Sequence, residues 1–371
     1  MGKTTYILGA GFSIEAGAPS QEKLIGEIFD TYKEKSDFFN KSLFDKFDKF
    51  LTNTLGISEE EKTKVPLEDI FTPIDRAILD NIVFRDLSVD KLRDVRGAMQ
   101  YVISRTFDLI LTDCNKDYIE DFARFIVERC SKRANGKYKN NPNLDSVAIL
   151  STNWDILLDN SIKDVLEHSH TEPKGVVDYC CYISSYEEND NSIKPGLEVL
   201  GEGGFNVKLL KLHGSLNWLQ CPRCQRLYVA FNQKIAINEN PELCRHCEKN
   251  FGDGDSHKLI SNLIMPTFLK DLSNPQYKII WQNAGIELSE SDHIVFIGYS
   301  LPFADFEMRQ LLSRMVRKDA EITVVGYRSK DSKEVEDMKS RYKIFFGNRD
   351  IKFRLEGAKA YISSIVNNPK S

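Results

Sequence analysis

Several short strings carry residue types that can do chemistry. His213 precedes Gly214 in Lys211-Leu212-His213-Gly214-Ser215-Leu216-Asn217, at the end of an apolar run. An unperturbed imidazole titrates near ~6.5, so it can take a proton at neutral pH, and the glycine leaves a gap through which a substrate can approach. The other histidines, His168, His170, His246, His257 and His293, lack that setting. Asn153 and Asp155 lie in Ser151-Thr152-Asn153-Trp154-Asp155, directly after another apolar run. Polar groups there can orient a water and sugar hydroxyls, or simply cap the helix that follows. Gly9-Ala10-Gly11 closes the first apolar run, with Ser13 and Gly17 shortly after. Such a turn lets backbone N–H groups come close to a pyrophosphate, although a tight structural turn has the same look.

Cys221-Pro222-Arg223-Cys224 and Cys244-Arg245-His246-Cys247 are nineteen residues apart. Two CxxC knuckles bring four thiolates to one tetrahedral Zn²⁺ and leave no seat for substrate, so the metal is expected to be structural. His246, inside a knuckle, is not expected to replace a cysteine.

Strands must position these strings. Thr4–Leu8, Val147–Leu150, Val207–Leu212, His293–Ile297 and Ile322–Val325 read as strands, mostly short, apolar and separated by helical or irregular segments. That pattern predicts a parallel sheet covered on both faces, with ligands at the ends of its strands. Between about 21 and 145 the periodicity is helical. Leu92, Val95, Met99, Val102, Thr106 and Leu109 form one stripe, with Ser88 as N-cap, and Ile119, Phe122, Phe125 and Ile126 form another. Breaks follow at Asn135-Gly136 and Asn140-Asn141-Pro142. The expected fold is therefore α/β: a Rossmann-like parallel sheet from residues 1–20 and 146–371, a helical insertion at 21–145, and a zinc ribbon at 218–258. The long apolar stripe predicts that the insertion contributes to assembly.

The chain has 371 residues and a formal charge of −5, which argues against a whole-protein grip on nucleic acid. No apolar run approaches the ~18 residues of a membrane span. No signal peptide or myristoylation site is expected, and Gly2-Lys3-Thr4 lacks the glycine-rich loop of a phosphate-binding motif. Eight cysteines, four of them in tight pairs, fit a reducing cytoplasm.

Taken in order, the strings resemble the sirtuin signature. Gly9-Ala10-Gly11, Ser13, Gly17 and Pro19 stand where sirtuins have Gly-Ala-Gly, a serine and Gly-x-Pro. An acidic residue, an aromatic and an arginine follow in that family; Ser20-Gln21-Glu22-Lys23 stand here, which speaks against lysine deacylation but not against dinucleotide binding. Thr152-Asn153-Trp154-Asp155 resembles Gln-Asn-Ile-Asp. The resemblance implies that Thr152 adjoins the dinucleotide, that Asn153 orients the nicotinamide ribose and attacking water, and that Asp155 holds the carboxamide. It makes His213 the general base toward a ribose hydroxyl. Gly298-Tyr299-Ser300 resembles Gly-Thr-Ser, implying ribose–phosphate contacts from Gly298 and Ser300. Gly326 and Tyr327 would serve the adenosine half, although the usual asparagine is absent there. The string Gly298-Tyr299-Ser300-Leu301-Pro302, with Asp305 beyond it, looks more like the bacterial antiphage-defence branch than the deacylases. The resemblance covers the first twenty residues and roughly 146–330. It implies an NAD hydrolase releasing nicotinamide and ADP-ribose, with NAD as substrate and structural Zn²⁺. Homo-oligomers and a HerA-type hexameric ATPase partner are also implied. The competing readings are a lysine deacylase and a non-catalytic NAD or ADP-ribose sensor or scaffold.

Overall fold

The computed structural model describes residues 2–112, 114–135, 137, 145–168, 174–188, 193–194, 196–231, 242–252, 257–327 and 332–368. The predicted break at Asn140-Asn141-Pro142 and residue His170 lie outside them. The strands are β1 (Thr4–Leu8), β2 (Val147–Ser151), β3 (Gly175–Asp178), β4 (Ile183–Ser185), β5 (Phe205–Lys211) and β6 (Gly214–Gln220). They continue with β7 (Leu227–Val229), β8 (Ile260–Leu263), β9 (His293–Ile297), β10 (Glu321–Val325) and β11 (Ile351–Arg354).

Seven of them form one sheet in the order β11-β10-β9-β1-β2-β5-β3, with every pair parallel. Both faces are covered. Thr5 bonds Ser291 (2.6 Å) at the end of the helix Pro275–Glu290, while Tyr6 packs edge-on against Phe122 of the helix Asp117–Ser131. Adjacent strand residues point to opposite faces, so these two contacts mark two helical layers. Strand order reverses at β1, which makes the end of β1 the switch point where open α/β sheets bind ligands.

Register decides which residues meet. Leu8 lies opposite Ser151 on β2 and Ile297 on β9; Ser151 lies opposite Lys211, and Ile297 opposite Val325. Gly9, Thr152, Leu212, Gly298 and Gly326 therefore leave the sheet in one row. Strand β5 starts earlier than its apolar run suggests, because Phe205 already pairs with Gly175 on the edge strand β3.

The stripe on the helix Val89–Ile110 behaves differently from expectation. Leu92, Val95, Met99, Val102 and Thr106 are buried within the chain, against the helices Leu24–Lys35, Lys41–Lys49 and Leu67–Leu79. The stripe gives no apolar face to a second copy, because the insertion's own helices use it. Ser88 caps this helix as predicted, accepting from Lys91 N. One continuous apolar core runs from these helices into the sheet. The helix Asp117–Ser131, placed with the insertion by its position in the chain, packs on β2 and β5 as the crossover from β1 to β2.

Charges are buried at the other end of the strands, where β1 and β2 begin. Lys3 Nζ lies 3.0 Å from Asp145, 2.6 Å from Glu287 and 2.7 Å from Glu290. The three carboxylates converge as metal ligands do, but an ammonium fills their centre. Arg133 (2.8 Å) and Lys208 (2.7 Å) complete the shell around Asp145. Burial acts to raise the Asp145 pKa, and Lys208, Arg133 and Lys3 outweigh it, so the net shift is downward. Its stabilising contribution is then full above the unfolded value of about 3.9 and is lost as pH falls through the lower folded value. Breaking such a buried network is expected to cost about 3–5 kcal/mol. Urea denaturation of Asp145→Ala should show that loss at pH 7, and the gap to wild type should narrow below about pH 4.

Candidate active site

The turns after β1 and β9 interlock. Gly9 N donates to Ile297 O (3.1 Å) and Gly11 N to Gly298 O (2.9 Å). Gly298 has φ +63°, and a Cβ there would lie 2.2 Å from Phe12 N. A Cβ on Gly11 would lie 2.6 Å from Gly298 Cα, and one on Gly9 2.6 Å from Tyr299 Cα. Only glycine allows the two backbones to come this close. Phe12 N and Ser13 N in turn bond Gly9 O and Ala10 O. Four amides of the turn are thus used inside the fold rather than held out as a free cradle. Gly17, at φ +103°, ends the short helical turn by bonding Ile14 O.

Beside this interlock, Asn153 is fixed by its amide group. Its Nδ2 donates to Gly9 O at 3.0 Å, with Ser13 Oγ 3.4 Å away. A carbonyl oxygen can only accept, which settles the orientation of the amide and leaves Oδ1 with no protein partner among the described residues. Asp155 is buried. Its carboxylate accepts from Ser13 Oγ (2.9 Å) and from Leu157 N (3.2 Å), the second bond capping the helix Leu157–His168. Burial pushes the Asp155 pKa up, with Lys211 and Ser13 acting the other way. Lys211 is itself buried, donating to Asp155 O (2.6 Å) and pairing with Asp159 (3.2 Å). Capping therefore accounts for part of Asp155's role, whereas Asn153 is tied to the glycine turn instead.

His213 sits where the chain leaves the seven-stranded sheet. Leu212 N still bonds Ser151 O (2.9 Å), and then Gly214, at φ +74°, turns the chain into a second sheet ordered β4-β7-β6-β8. A Cβ on Gly214 would lie 2.0 Å from Asn262 O, so the glycine after the histidine is required by the backbone of β8. Nε2 of His213 lies 3.4 Å from Asp305 Oδ1, and the Trp281 ring is 6.4 Å away. Asp305 also receives Lys270 Nζ (3.1 Å) and the Tyr299 hydroxyl (2.7 Å). Burial acts to raise its pKa, but His213, Lys270 and Tyr299 together hold it below the ordinary carboxylate value. Asp305 is thus a carboxylate at neutral pH.

These groups share one cavity of about 330 Å³. Of the predicted residues, Ala10, Gly11, Thr152, Asn153, Asp155, His213, Gly298 and Ser300 line it. Gly9 and Ser13 lie behind the wall and hold Asn153 and Asp155. Gly17, Gly326 and Tyr327 are not on it: Gly326 packs by Met338, and Tyr327 is 70% exposed, bridged to Glu356. Three groups come from elsewhere. Asp305 and Lys270 flank the histidine; Trp154 donates to Ile264 O (3.1 Å), joining the two sheets. Leu67, Glu68 and Phe107 make the insertion part of the wall.

No family model matches the chain, and no curated protein matches it by sequence. Solved structures do align with it. A Sir2 homologue in complex with NAD shares 12% identity at a TM-score of 0.44, covering 99% of this chain and 89% of its own. A structure described as bearing on the mechanism and regulation of Sir2 enzymes shares 14% at 0.42, covering 99% and 91%. Sir2Tm bound to a propionylated peptide shares 11% at 0.41, covering 99% and 93%. All three of these structures are of Sir2 proteins.

The four cysteines meet beyond β6. Cys221 and Cys247 Sγ are 3.7 Å apart, as are Cys224 and Cys244, and all four sulfurs lie within 4.8 Å of one another. Tetrahedral zinc with Zn–S near 2.3 Å puts sulfurs about 3.8 Å apart, so the donor set fits Zn²⁺ with no vacant position. The module's own core is a small cluster around Leu219, Tyr228 and Leu259, too little apolar surface to fold without help.

Two outcomes follow from this geometry. Gly298→Ala should lower the thermal midpoint, since left-handed backbone alone costs alanine about 1–2 kcal/mol before the clash is counted. Metal analysis should find one zinc per chain, and Cys244→Ser should lose it and open the module to trypsin at Arg223, Arg226 and Arg245.

Proposed function

We propose that the protein is an NAD glycohydrolase that cleaves the nicotinamide–ribose bond to give nicotinamide and ADP-ribose. The observation that carries this reading is one cavity lined by both an asparagine with a free carbonyl oxygen and a histidine paired with a carboxylate. N-glycosidic cleavage passes through an oxocarbenium-like state and needs an oriented water, an acceptor for its proton and negative charge nearby. Asn153 Oδ1 suits the first task, since as an acceptor it can hold a water or a ribose hydroxyl. His213 suits the second and Asp305 the third. Water oxygen bonds C1′, the C1′–N pair leaves with the ring of nicotinamide, and the water's proton ends on His213. Ser300 is exposed at the cavity and offers a hydroxyl to the ribose–phosphate region.

Together with the resemblance to the bacterial defence branch, this supports an NAD-depleting effector of antiphage defence. It would act in the cytoplasm as a homo-oligomer beside a HerA-type ATPase. Among the described residues no helix is long and apolar enough to cross a membrane. Since the insertion's stripe is internal, an oligomer has to form through other surfaces. Gly326 and Tyr327 remain assigned to the adenosine half, beyond the cavity wall.

Incubating the protein with NAD, with and without an acetyl-lysine peptide and the ATPase partner, tests the reading. Nicotinamide and ADP-ribose should appear without peptide and fall about 10²-fold or more in Asn153→Ala and in His213→Ala. Release that requires the peptide and yields acetyl-ADP-ribose would make the protein a deacylase, and binding without turnover a sensor.

A further inference from the structure

We propose that Asp305 is a positioning residue for His213: its carboxylate takes the hydrogen on Nε2, which leaves Nδ1 as the atom that accepts the proton. The inference rests on the hydrolase reading, because the proton in question is the one the attacking water loses.

The donor inventory forces the assignment. A neutral imidazole has one N–H and one bare nitrogen, and a carboxylate can only accept. Nε2 faces Asp305 Oδ1 at 3.4 Å, sealed from solvent and with no other polar partner. That separation is within ion-pair reach but not yet a hydrogen bond, a looseness common before substrate tightens a site. For a neutral ring, a hydrogen on Nε2 is the arrangement that sets a donor against this acceptor. Nδ1 has no protein partner among the described residues and is not sealed, on a ring that lines the cavity.

Asp305 is built to hold that position. An acidic residue before a helix is ordinarily a cap, and Asp305 does precede the helix Phe306–Met315, yet its side chain makes no capping bond. Instead Oδ2 accepts from Tyr299, whose backbone oxygen is held by the Tyr342 hydroxyl (2.7 Å). Oδ1 faces Lys270 Nζ, which is anchored further by Glu307 (3.0 Å) and Ala304 O (3.2 Å). Among the described residues the charged groups around the pair are Lys270, with Glu307 behind it, Arg309 beyond Tyr299, and Asp155, Glu22 and Glu68 on the cavity wall. Lys270 keeps the carboxylate ionised, so it is available to stabilise the imidazolium. In the reaction the water's proton passes to Nδ1 while the Nε2–H stays on the ring and points at the Asp305 carboxylate, and the imidazolium returns the proton on Nδ1 to solvent after nicotinamide leaves.

Nitrogen-15 NMR of the full chain, labelled at histidine and free of ligand at about pH 8, reads the tautomer directly, with His213→Asn identifying the resonances. The expected result is a pyridine-like Nδ1 and a pyrrole-like Nε2. A pyrrole-like Nδ1 in the wild type overturns the proposal, whether or not any variant folds. In Asp305→Asn the tautomer should redistribute, and kcat should fall by about 10²- to 10⁴-fold with KM little changed. An unchanged tautomer, with activity lost only in step with folded protein, would make Asp305 structural and overturn it too. The expected tautomer in a protein that never releases nicotinamide would support the pairing and remove the hydrolase reading instead.

Discussion

The close approach of two backbones, at Gly11 and Gly298, is the constraint on which the site depends. Strand β9 ends beside β1, and the sheet register alone would bring their turns side by side. The absence of Cβ atoms lets them interlock instead. The segment that continues from Gly298 then runs across the end of the sheet, carrying Ser300 and Asp305 toward His213. The same approach decides what the glycine turn can offer. Its amides at Gly9, Gly11, Phe12 and Ser13 serve the fold, so much of the polarity of the cavity comes from side chains, among them Asn153, His213 and Ser300. A motif read as a phosphate cradle is in this chain first a joint between two turns.

Buried charge does the rest of the positioning. Isolated, such charges are costly, and removing one partner costs more than the pair ever contributed, so each network holds its members in one arrangement. Lys211, paired with Asp159 and like it almost wholly buried, lies beneath the Asn153–Asp155 segment and donates to Asp155 O. Lys270 and Tyr299 do the same for Asp305. The third network, around Lys3 and Asp145, sits where β1 and β2 begin, and ties β1, β5 and the helix Pro275–Glu290 together without touching the cavity. Two of the three networks therefore converge on the candidate chemistry from opposite sides.

Much of this was legible in the sequence because strand ends mark themselves. Short apolar runs that stop at Gly9, Thr152 and Gly298 report both the strand and the exit point, and parallel register does the alignment. The four cysteines were equally plain, since spacing alone states their chemistry. What the sequence hid was contact between residues far apart in the chain. Asp305 was visible only as an acidic residue beyond Leu301-Pro302, and Lys270 carried no pattern at all. The pairing of Asp305 with His213, and of Lys270 with Asp305, exists only once the chain is folded. The insertion misled for a related reason: amphipathic periodicity says that the stripe of Val89–Ile110 is covered, not what covers it. Its neighbours within the chain are three shorter helices that are amphipathic themselves. Nor could periodicity reveal that Leu67, Glu68 and Phe107 would face the cavity.

The metal module bears on the same histidine through chain connectivity. Residue 213 is the sole link between the last β5–β2 ladder bond, at Leu212, and the first residue of β6. Strand β6 then runs to Gln220, and the first zinc ligand is the next residue, Cys221. No slack exists along that path. One end of it is fixed by the parallel sheet, and Ile264 N, bonding His213 O at 3.0 Å, fixes it from β8's side. At its cysteine end the small sheet has only a small apolar cluster, which four thiolates closing on one ion would hold together, while Leu216, Trp218, Leu227, Val229 and Leu263 belong to the main core. The main core and the four cysteines thus hold the two ends of the strand that starts immediately after His213.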